Sequence, residues 1–150
     1  MSEIDARFRV AARIYVLYGI VYWVGGMWLL SQGVGVMGGR TGGAAAPSMV
    51  RWGLIGFVPL IVIPWLLSRR WSWLGGAVSR RSFAWLVAAL LFVRAWKVAQ
   101  VAVHHHGASV LAPWGGRVMF QVGAAIFAVV TITALLSILR AACATLDRRA

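Results

Sequence analysis

Two basic residues, Arg94 and Lys97, stand three positions apart inside an apolar stretch that runs from Ser82 to Gly107. A charged side chain at bilayer depth costs about 2.5–3.5 kcal/mol on insertion scales, so such residues usually serve a partner, a ligand or a pathway. The apolar stretches of the sequence contain no Asp or Glu that would neutralise these two cations. The pattern therefore predicts a site for an anionic group that comes from outside the chain.

Further polar side chains fall at about the same depth, because each helical residue advances about 1.5 Å along its axis. Tyr18 and Tyr22 share one helix face, since they stand four positions apart. We therefore expect one inward pocket for an anionic lipid, a prenyl phosphate or a quinone. The predicted ligand-binding or partner-binding residues are Arg94, Lys97, Gln100, Tyr18, Tyr22 and Gln121.

The same residues also admit an arrangement without a ligand. Lys97 can extend outward to the headgroups while its methylene groups stay in the apolar layer. Arg94 can bond to the tyrosines and to backbone carbonyls that proline leaves free in the second apolar stretch. Both arrangements stay open from the sequence.

Three consecutive histidines, His104, His105 and His106, follow the same apolar stretch and are the candidate metal ligands. Imidazole suits copper and zinc, and a single histidine can also serve as an axial ligand to a haem or a pigment. Consecutive helical residues point in different directions, so all three reach one ion only if the helix unwinds. A polar helix end is the alternative, and the sequence identifies no particular cofactor.

The composition is that of a membrane protein, with 61% hydrophobic residues, 12% charged residues and a mean hydropathy of +0.82. One small soluble core cannot hide so much apolar surface. Lys and Arg number 15 against three acidic residues, but they stand at the ends of apolar runs. The charge therefore indicates topology in a lipid bilayer and argues against nucleic acid as a partner. The single cysteine, Cys143, excludes an internal disulfide.

The periodicity and the lengths of the apolar runs predict an all-α integral membrane protein. We expect one domain, a four-transmembrane-helix bundle over residues 1–150. Its predicted spans are about 14–31, 48–68, 83–106 and 118–139.

Local signals predict how these helices begin. Ser2 and Asp5 form a capping-box pattern, so the first helix should start near residue 3, and its first turns should lie at the membrane surface. Residues 69–81, with arginine pairs at each end and tryptophans between them, should form a loop in the headgroup layer. Ser82 is the candidate N-cap of the third helix.

Orientation follows from the distribution of Lys and Arg. The two terminal segments and the second loop carry ten of them, whereas the first and third loops carry three. The positive-inside rule then predicts that both termini are cytoplasmic, in a multi-pass protein of the bacterial inner membrane. The histidines would lie on the outer face.

Enzyme is the least supported class, because the sequence has no paired carboxylates, no nucleophile and base at helical spacing, and no phosphate-binding loop. The first hypothesis is a noncatalytic subunit or accessory protein of a larger membrane complex. It would use Arg94, Lys97 and small-residue helix faces to contact other membrane-protein subunits or further copies of itself. The alternatives are a binding or transport protein for an anionic amphiphile, and a subunit that binds a metal, haem or pigment through histidine.

Overall fold

The protein is helical apart from one small hairpin. A computed structural model describes residues 2–31, 45–104 and 115–144, with His104 and residues 45–52 described by their backbone only. The hairpin pairs β1 (Ser72–Trp73) with β2 (Val78–Ser79) around a 3₁₀ turn, Leu74–Gly76. The helices are α1 (Glu3–Ser31), α2 (Ala45–Ser68), α3 (Arg80–His104) and α4 (Gly116–Cys143).

Three of these helices are long and apolar enough to cross a membrane, namely α1, α3 and α4. The described apolar part of α2, Gly53–Ser68, is shorter. Many large apolar side chains point away from the bundle, such as Leu17 at 64% exposure and Leu86 at 58%. A helix that keeps its backbone bonds internal and turns apolar side chains outward suits lipid as its solvent. The predicted class, a helical membrane protein, is supported at this level.

The helices pack in the order α2, α1, α4, α3. Helix α1 packs against both α2 and α4, and α4 packs against α3, whereas α2 and α3 contact each other little. We call the line between these last two helices the α2–α3 seam. The common core is formed by Phe8, Ala11, Ala12, Tyr15, Tyr18, Leu67, Ala84, Val87, Ala88, Leu91, Ala134, Ile138, Ala141 and Ala142.

Glycines let α1 approach its two neighbours closely. A Cβ atom at Gly19 would collide with the Leu60 side chain of α2. A Cβ at Gly25 would come within 2.5 Å of Cζ of Phe127 on α4. At these two positions the lack of a side chain lets α1 lie directly against its neighbours within the bundle.

Helix pairing fixes which chain segments meet at each end. The Tyr22 hydroxyl lies 3.0 Å from Oγ1 of Thr131, and Gly25, later in α1, lies against Phe127, earlier in α4. Helices α1 and α4 are therefore antiparallel. Asp5 bonds to side chains that follow α2 and begin α3. The end that holds Ser2, Arg70, Arg80 and Cys143 is called the basic end below, and the end that holds Ser31, His104 and Gly116 the histidine end.

Capping explains where two helices start. The capping-box prediction at α1 is confirmed, because the Ser2 hydroxyl accepts from the Asp5 backbone N–H at 3.3 Å and donates to its carboxylate at 2.7 Å. The prediction for α3 was wrong, since Ser79 and not Ser82 is the cap. The Ser79 hydroxyl accepts the N–H of Ser82 at 3.3 Å, and the helix begins at Arg80. The hairpin delivers Ser79 to that position.

Candidate functional site

Arg94 lies at the edge of the buried face of α3, one turn after buried Leu91. The side chain is half-buried, and its guanidinium carbon lies 4.7 Å from the centroid of the Tyr22 ring on α1. A guanidinium over a tyrosine face is a cation–π contact, worth about 0.5–2 kcal/mol depending on desolvation. The predicted proximity of Arg94 and Tyr22 therefore exists as a direct contact.

Tyr22 is held in place by α4. Thr131, fully buried, donates its hydroxyl proton to the Phe127 carbonyl at 2.6 Å. The Thr131 oxygen is therefore the acceptor in its 3.0 Å contact with Tyr22, and the tyrosine hydroxyl is the donor. The Tyr22 ring also meets Phe127 edge-on at 4.7 Å. This network fixes the aromatic face under Arg94.

The tyrosines of α1 form a continuous row. The Tyr22 ring lies 4.5 Å from the Tyr18 ring, which lies 5.3 Å from the Tyr15 ring. Tyr15 and Tyr18 are buried, whereas Tyr22 is half-buried at the Arg94 end of the row. Tyr18 therefore supports Tyr22 through ring packing.

Arg94 has no carboxylate partner within residues 2–31, 45–104 and 115–144. The described acidic residues are Glu3 and Asp5, and both bond to arginines at the basic end. A cation–π contact uses the face of the guanidinium and leaves its in-plane N–H donors for other acceptors. Such donors match a phosphate or a carboxylate in planar, bidentate geometry.

The remaining predicted residues lie elsewhere on the surface. Lys97 and Gln100 are exposed on α3, and Gln121 is exposed on α4. Lys97 and Gln100 share a stripe with Val93 and Trp96, which are 57% and 61% exposed. The structure therefore brings Arg94, Tyr18 and Tyr22 together and leaves Lys97 and Gln100 on the outward face of α3. The binding role of the six-residue set stays a prediction.

The histidine prediction falls mostly outside the described residues. His104 ends α3 at the histidine end, but its side chain, His105 and His106 lie outside the described part of the chain. Among the residues that are described, no group of three or more His, Cys, Asp or Glu side chains is placed to hold a metal ion. Metal, haem or pigment binding by the triplet stays a prediction.

A second arginine cluster, absent from the predicted site, occupies the basic end. The Asp5 carboxylate accepts from Arg80 Nη2 at 2.8 Å and from Arg70 Nε at 3.1 Å, and it also pairs with Arg70 Nη2. Arg70 Nη2 donates to the Ser2 hydroxyl at 3.1 Å as well. The four residues together, called the Asp5 clamp below, tie the start of α1 to the segment between α2 and α3.

Burial differs between the two arginines of the Asp5 clamp. The Arg80 side chain is 11% exposed, whereas the Arg70 side chain is 69% exposed. Arg80 places its guanidinium carbon 4.1 Å from the Phe8 ring centroid, and its buried Nη1 has no hydrogen-bond partner among the described residues. At Arg70 the hydrogen bond that the guanidinium donates to Asp5 and the charge of that carboxylate raise the pKa of the guanidinium.

The sequence did carry a signal for the Asp5 clamp. In a chain with 15 basic and three acidic residues, each carboxylate is a scarce partner that several arginines compete for. The sequence predicts only a role for Asp5 at the helix N-terminus, where the dipole favours an anion. The structure shows that the same carboxylate also pairs with two guanidiniums.

The described chain thus contains one arginine cluster that shares the Asp5 carboxylate, and, on α3, an arginine that rests on an aromatic ring without a carboxylate, Arg94. No protein-family model, curated protein or solved structure matches this chain. Chemically, the first arrangement holds helices together. The second presents positive charge and N–H donors to an acceptor from outside the described residues.

Proposed function

We propose that the protein is a noncatalytic subunit or accessory protein of a larger membrane assembly. In this proposal the exposed stripe of α3 near the histidine end contacts a different membrane polypeptide. The supporting observation is that Lys97 and Gln100 are exposed on the outward face of a helix long and apolar enough to span the membrane. Such a face meets either lipid or another protein.

Exposure to lipid is unfavourable for these two side chains. A lysine in the apolar layer costs roughly 2.5–3.5 kcal/mol at the centre of a span, less where it reaches the headgroups. An exposed glutamine amide without a partner also loses its hydrogen bonds to water. A neighbouring transmembrane helix with a carboxylate and a carbonyl would satisfy both Lys97 and Gln100, and Trp96 on the same stripe would add apolar contact area.

The proposal includes four spans. Helix α2 is 24 residues long, which gives about 36 Å at 1.5 Å per residue, enough for the hydrocarbon core. It also follows α1 closely, since the Trp23 indole donates to the Gly53 carbonyl at 3.0 Å and Gly19 meets Leu60 further along. We propose that the basic end, with both termini, faces the cytoplasm of a bacterial inner membrane, following the positive-inside rule.

A crosslinking experiment tests the subunit contact. A photoreactive amino acid replaces Trp96 or Gln100 in the full chain, and the membrane is irradiated before extraction in a mild detergent. We expect adducts with a different polypeptide, in a particle well above the 16.3 kDa of the chain. Recovery of that polypeptide should fall about tenfold in Lys97→Leu, because one lost charge-assisted bond is worth about 1.5–3 kcal/mol.

The matched control position is Val24 on α1. It is 54% exposed and lies as far from the end of α1 at Ser31 as Lys97 lies from the end of α3 at His104. The same photoreactive residue at Val24 should give lipid adducts and little protein adduct. A particle that contains copies of this chain alone, or equal adducts from both positions, would contradict the proposed contact.

A second candidate function has its own supporting observation at Arg94. Its guanidinium rests on Tyr22 without a carboxylate among the described residues, at the edge of the buried face of α3. An anionic amphiphile such as a phospholipid, a prenyl phosphate or a quinone would place its polar group there and its chain along the α2–α3 seam. The protein would then bind or carry that molecule.

Mass spectrometry of co-purified lipids distinguishes the two candidates. If Arg94 binds an amphiphile, Arg94→Leu should lose most of the bound molecule, whereas Lys97→Leu should retain it. If α3 contacts a subunit, Lys97→Leu should lose the partner polypeptide. Equal lipid and quinone content in the wild type and in Arg94→Leu would remove the second candidate.

A further inference from the structure

The tip of the hairpin exposes apolar side chains in an unusual way. Trp73 is 65% exposed, and Leu74 is 80% exposed, more than any other large apolar side chain in the described part of the chain. Leu74 also has a φ of 50°, followed by 64° at Gly75 and 89° at Gly76. Glycine or asparagine adopts this left-handed region more easily than leucine does. The turn therefore keeps a leucine outward at a conformational cost.

Contacts of Trp71 fix the level of this tip. The Trp71 indole donates to the Leu66 carbonyl of α2 at 2.9 Å, and its ring lies 5.7 Å from the Phe83 ring of α3. The Trp73 ring packs against Trp71 at 5.5 Å. The tip is thus held beside the ends of α2 and α3. Helix ends of these lengths fall within the headgroup layer, where tryptophan is favoured.

Positive charge surrounds the tip. Arg69 precedes the hairpin, with its guanidinium 4.8 Å from the Trp65 ring centroid, and Arg81 follows it. Neither arginine has a carboxylate partner in the described residues, because Glu3 and Asp5 are bonded to other arginines. Those two acidic residues face eight described arginines at this end: Arg7, Arg9, Arg13, Arg69, Arg70, Arg80, Arg81 and Arg140.

We propose that residues 72–79 form a membrane anchor that selects anionic lipid. Trp73 and Leu74 insert at the boundary between headgroups and acyl chains, and Arg69 and Arg81 bind lipid phosphates in the same leaflet. Charge complementarity selects a lipid surface with net negative charge, and the exposed apolar tip favours a surface with acyl chains beneath the headgroups. This anchor lies at the basic end, so it is independent of the proposed subunit contact near the histidine end.

Spin labelling of the full chain measures the depth of the tip. Cys143, the one native cysteine, is first changed to serine, and a label is attached at Leu74→Cys or at Ala77→Cys, an exposed position on the same turn. The protein is placed in nanodiscs of phosphatidylcholine, with or without phosphatidylglycerol. We expect the label at 74 to be reached by oxygen more than by a water-soluble nickel chelate, and to lie deeper when phosphatidylglycerol is present.

A label at 74 that the nickel chelate reaches more readily than oxygen does, in both lipid mixtures, would overturn the anchor. The tip would then face water, as a docking site for a protein would. Leu74→Asn supplies a second arm, because asparagine suits the left-handed turn but lacks the apolar group. Its melting temperature in detergent should equal that of the wild type, while the extra stability gained from phosphatidylglycerol should shrink. If phosphatidylglycerol stabilised Leu74→Asn as much as it stabilises the wild type, that result would count against insertion.

The arginines are tested by lipid retention in native mass spectrometry. Arg69→Gln and Arg81→Gln should each lower the preference for phosphatidylglycerol over phosphatidylcholine by about fivefold. Arg7→Gln is the matched control, since it removes the same charge from the same end at a residue already paired with Glu3. An equal loss of preference in Arg7→Gln would assign selectivity to the whole end and would overturn the role of the hairpin.

Discussion

Helix α3 places two arginines over aromatic rings of α1, one at its first residue and one near its middle. Arg80 lies 4.1 Å from the Phe8 centroid and Arg94 lies 4.7 Å from the Tyr22 centroid. Arg80 also has a carboxylate, because Asp5 accepts from it at 2.8 Å. Arg94 has no such partner in the described residues. The comparison shows that one type of contact between α1 and α3 occurs once with a carboxylate bonded to the guanidinium and once without one.

The difference indicates that Arg80 stabilises the bundle, whereas Arg94 keeps hydrogen-bond donors for an acceptor outside the described residues. A buried cation with its carboxylate holds the bundle together, and breaking such a pair is costly because a charge is left uncompensated. A half-buried cation that contacts only an aromatic face keeps its in-plane donors for another acceptor. We therefore expect changes at the basic end to alter stability, and changes at Arg94 to alter what the protein retains on purification.

The largest expected effect comes from removing the carboxylate of the Asp5 clamp. Asp5→Ala leaves Arg80, which is 11% exposed, without its anion, and frees Arg70 from α1. We expect a loss of about 3 kcal/mol in the free energy of unfolding, near the lower bound for breaking a buried pair. Denaturant titration in detergent micelles, followed by circular dichroism, measures it.

Glu3→Ala is the matched control for that prediction. Glu3 pairs with Arg7 on the same helix, but the two side chains are 74% and 49% exposed. An exposed pair of this kind contributes at most about 0.5 kcal/mol. Similar losses in the two variants would show that Asp5 is no more than a surface ion pair, and the contrast between the two arginines would fail.

The second prediction disturbs the support of Tyr22. In Gly25→Ala the new methyl group would lie 2.5 Å from Cζ of Phe127, so that ring must move, and it packs edge-on against Tyr22. We expect a loss of about 1–2 kcal/mol from overpacking, measured by the same titration. At Gly26 a Cβ meets nothing within 4 Å. Gly26→Ala should therefore be neutral or stabilising by up to about 1 kcal/mol.

Equal changes in the free energy of unfolding for Gly25→Ala and Gly26→Ala would contradict the close contact between α1 and α4. It would also leave the position of Tyr22 without the proposed support. If only Gly25→Ala lost stability, and if it also changed the amount of lipid or partner polypeptide retained, the contact between Gly25 and Phe127 would be linked to the position of Arg94.

Much of the fold could be predicted from the sequence, because apolar runs of this length form helices wherever a membrane receives them. The Ser2 cap was also readable, since its partner Asp5 stands three positions away. Which side chains pair across the bundle could not be predicted from the sequence. Asp5 meets Arg70 and Arg80 across 65 and 75 positions, and the sequence offers many arginines of equal chemistry.

The start of α1 shows what an apolar pattern leaves open. Phe8 and Ala12 are buried at 1% and 6% exposure in the core that also contains Ala141 and Ala142. An apolar stripe has the same spacing whether it faces lipid headgroups or neighbouring helices. At the candidate site, depth matching anticipated the level shared by Arg94 and Tyr22. It did not separate Arg94 from Lys97, because three positions turn a side chain by about 60° around the helix axis. That rotation takes Lys97 from the edge of the buried face, where Arg94 lies, to the exposed face.

The smallest expected effect concerns the Tyr22 hydroxyl. Tyr22→Phe removes one interhelical hydrogen bond, and such bonds average about 0.6 kcal/mol in membrane proteins. Thr131 keeps its own 2.6 Å bond to the Phe127 carbonyl, so no buried donor is left unsatisfied. The phenyl ring stays under the Arg94 guanidinium, and retention of any lipid, quinone or partner polypeptide should match the wild type. Tyr22→Leu, by contrast, removes the aromatic face and should lower retention toward that of Arg94→Leu. If Tyr22→Phe lowered retention as much as Tyr22→Leu, the Tyr22 hydroxyl and not the ring would position the Arg94 guanidinium. The cation–π contact would then lose its assigned role.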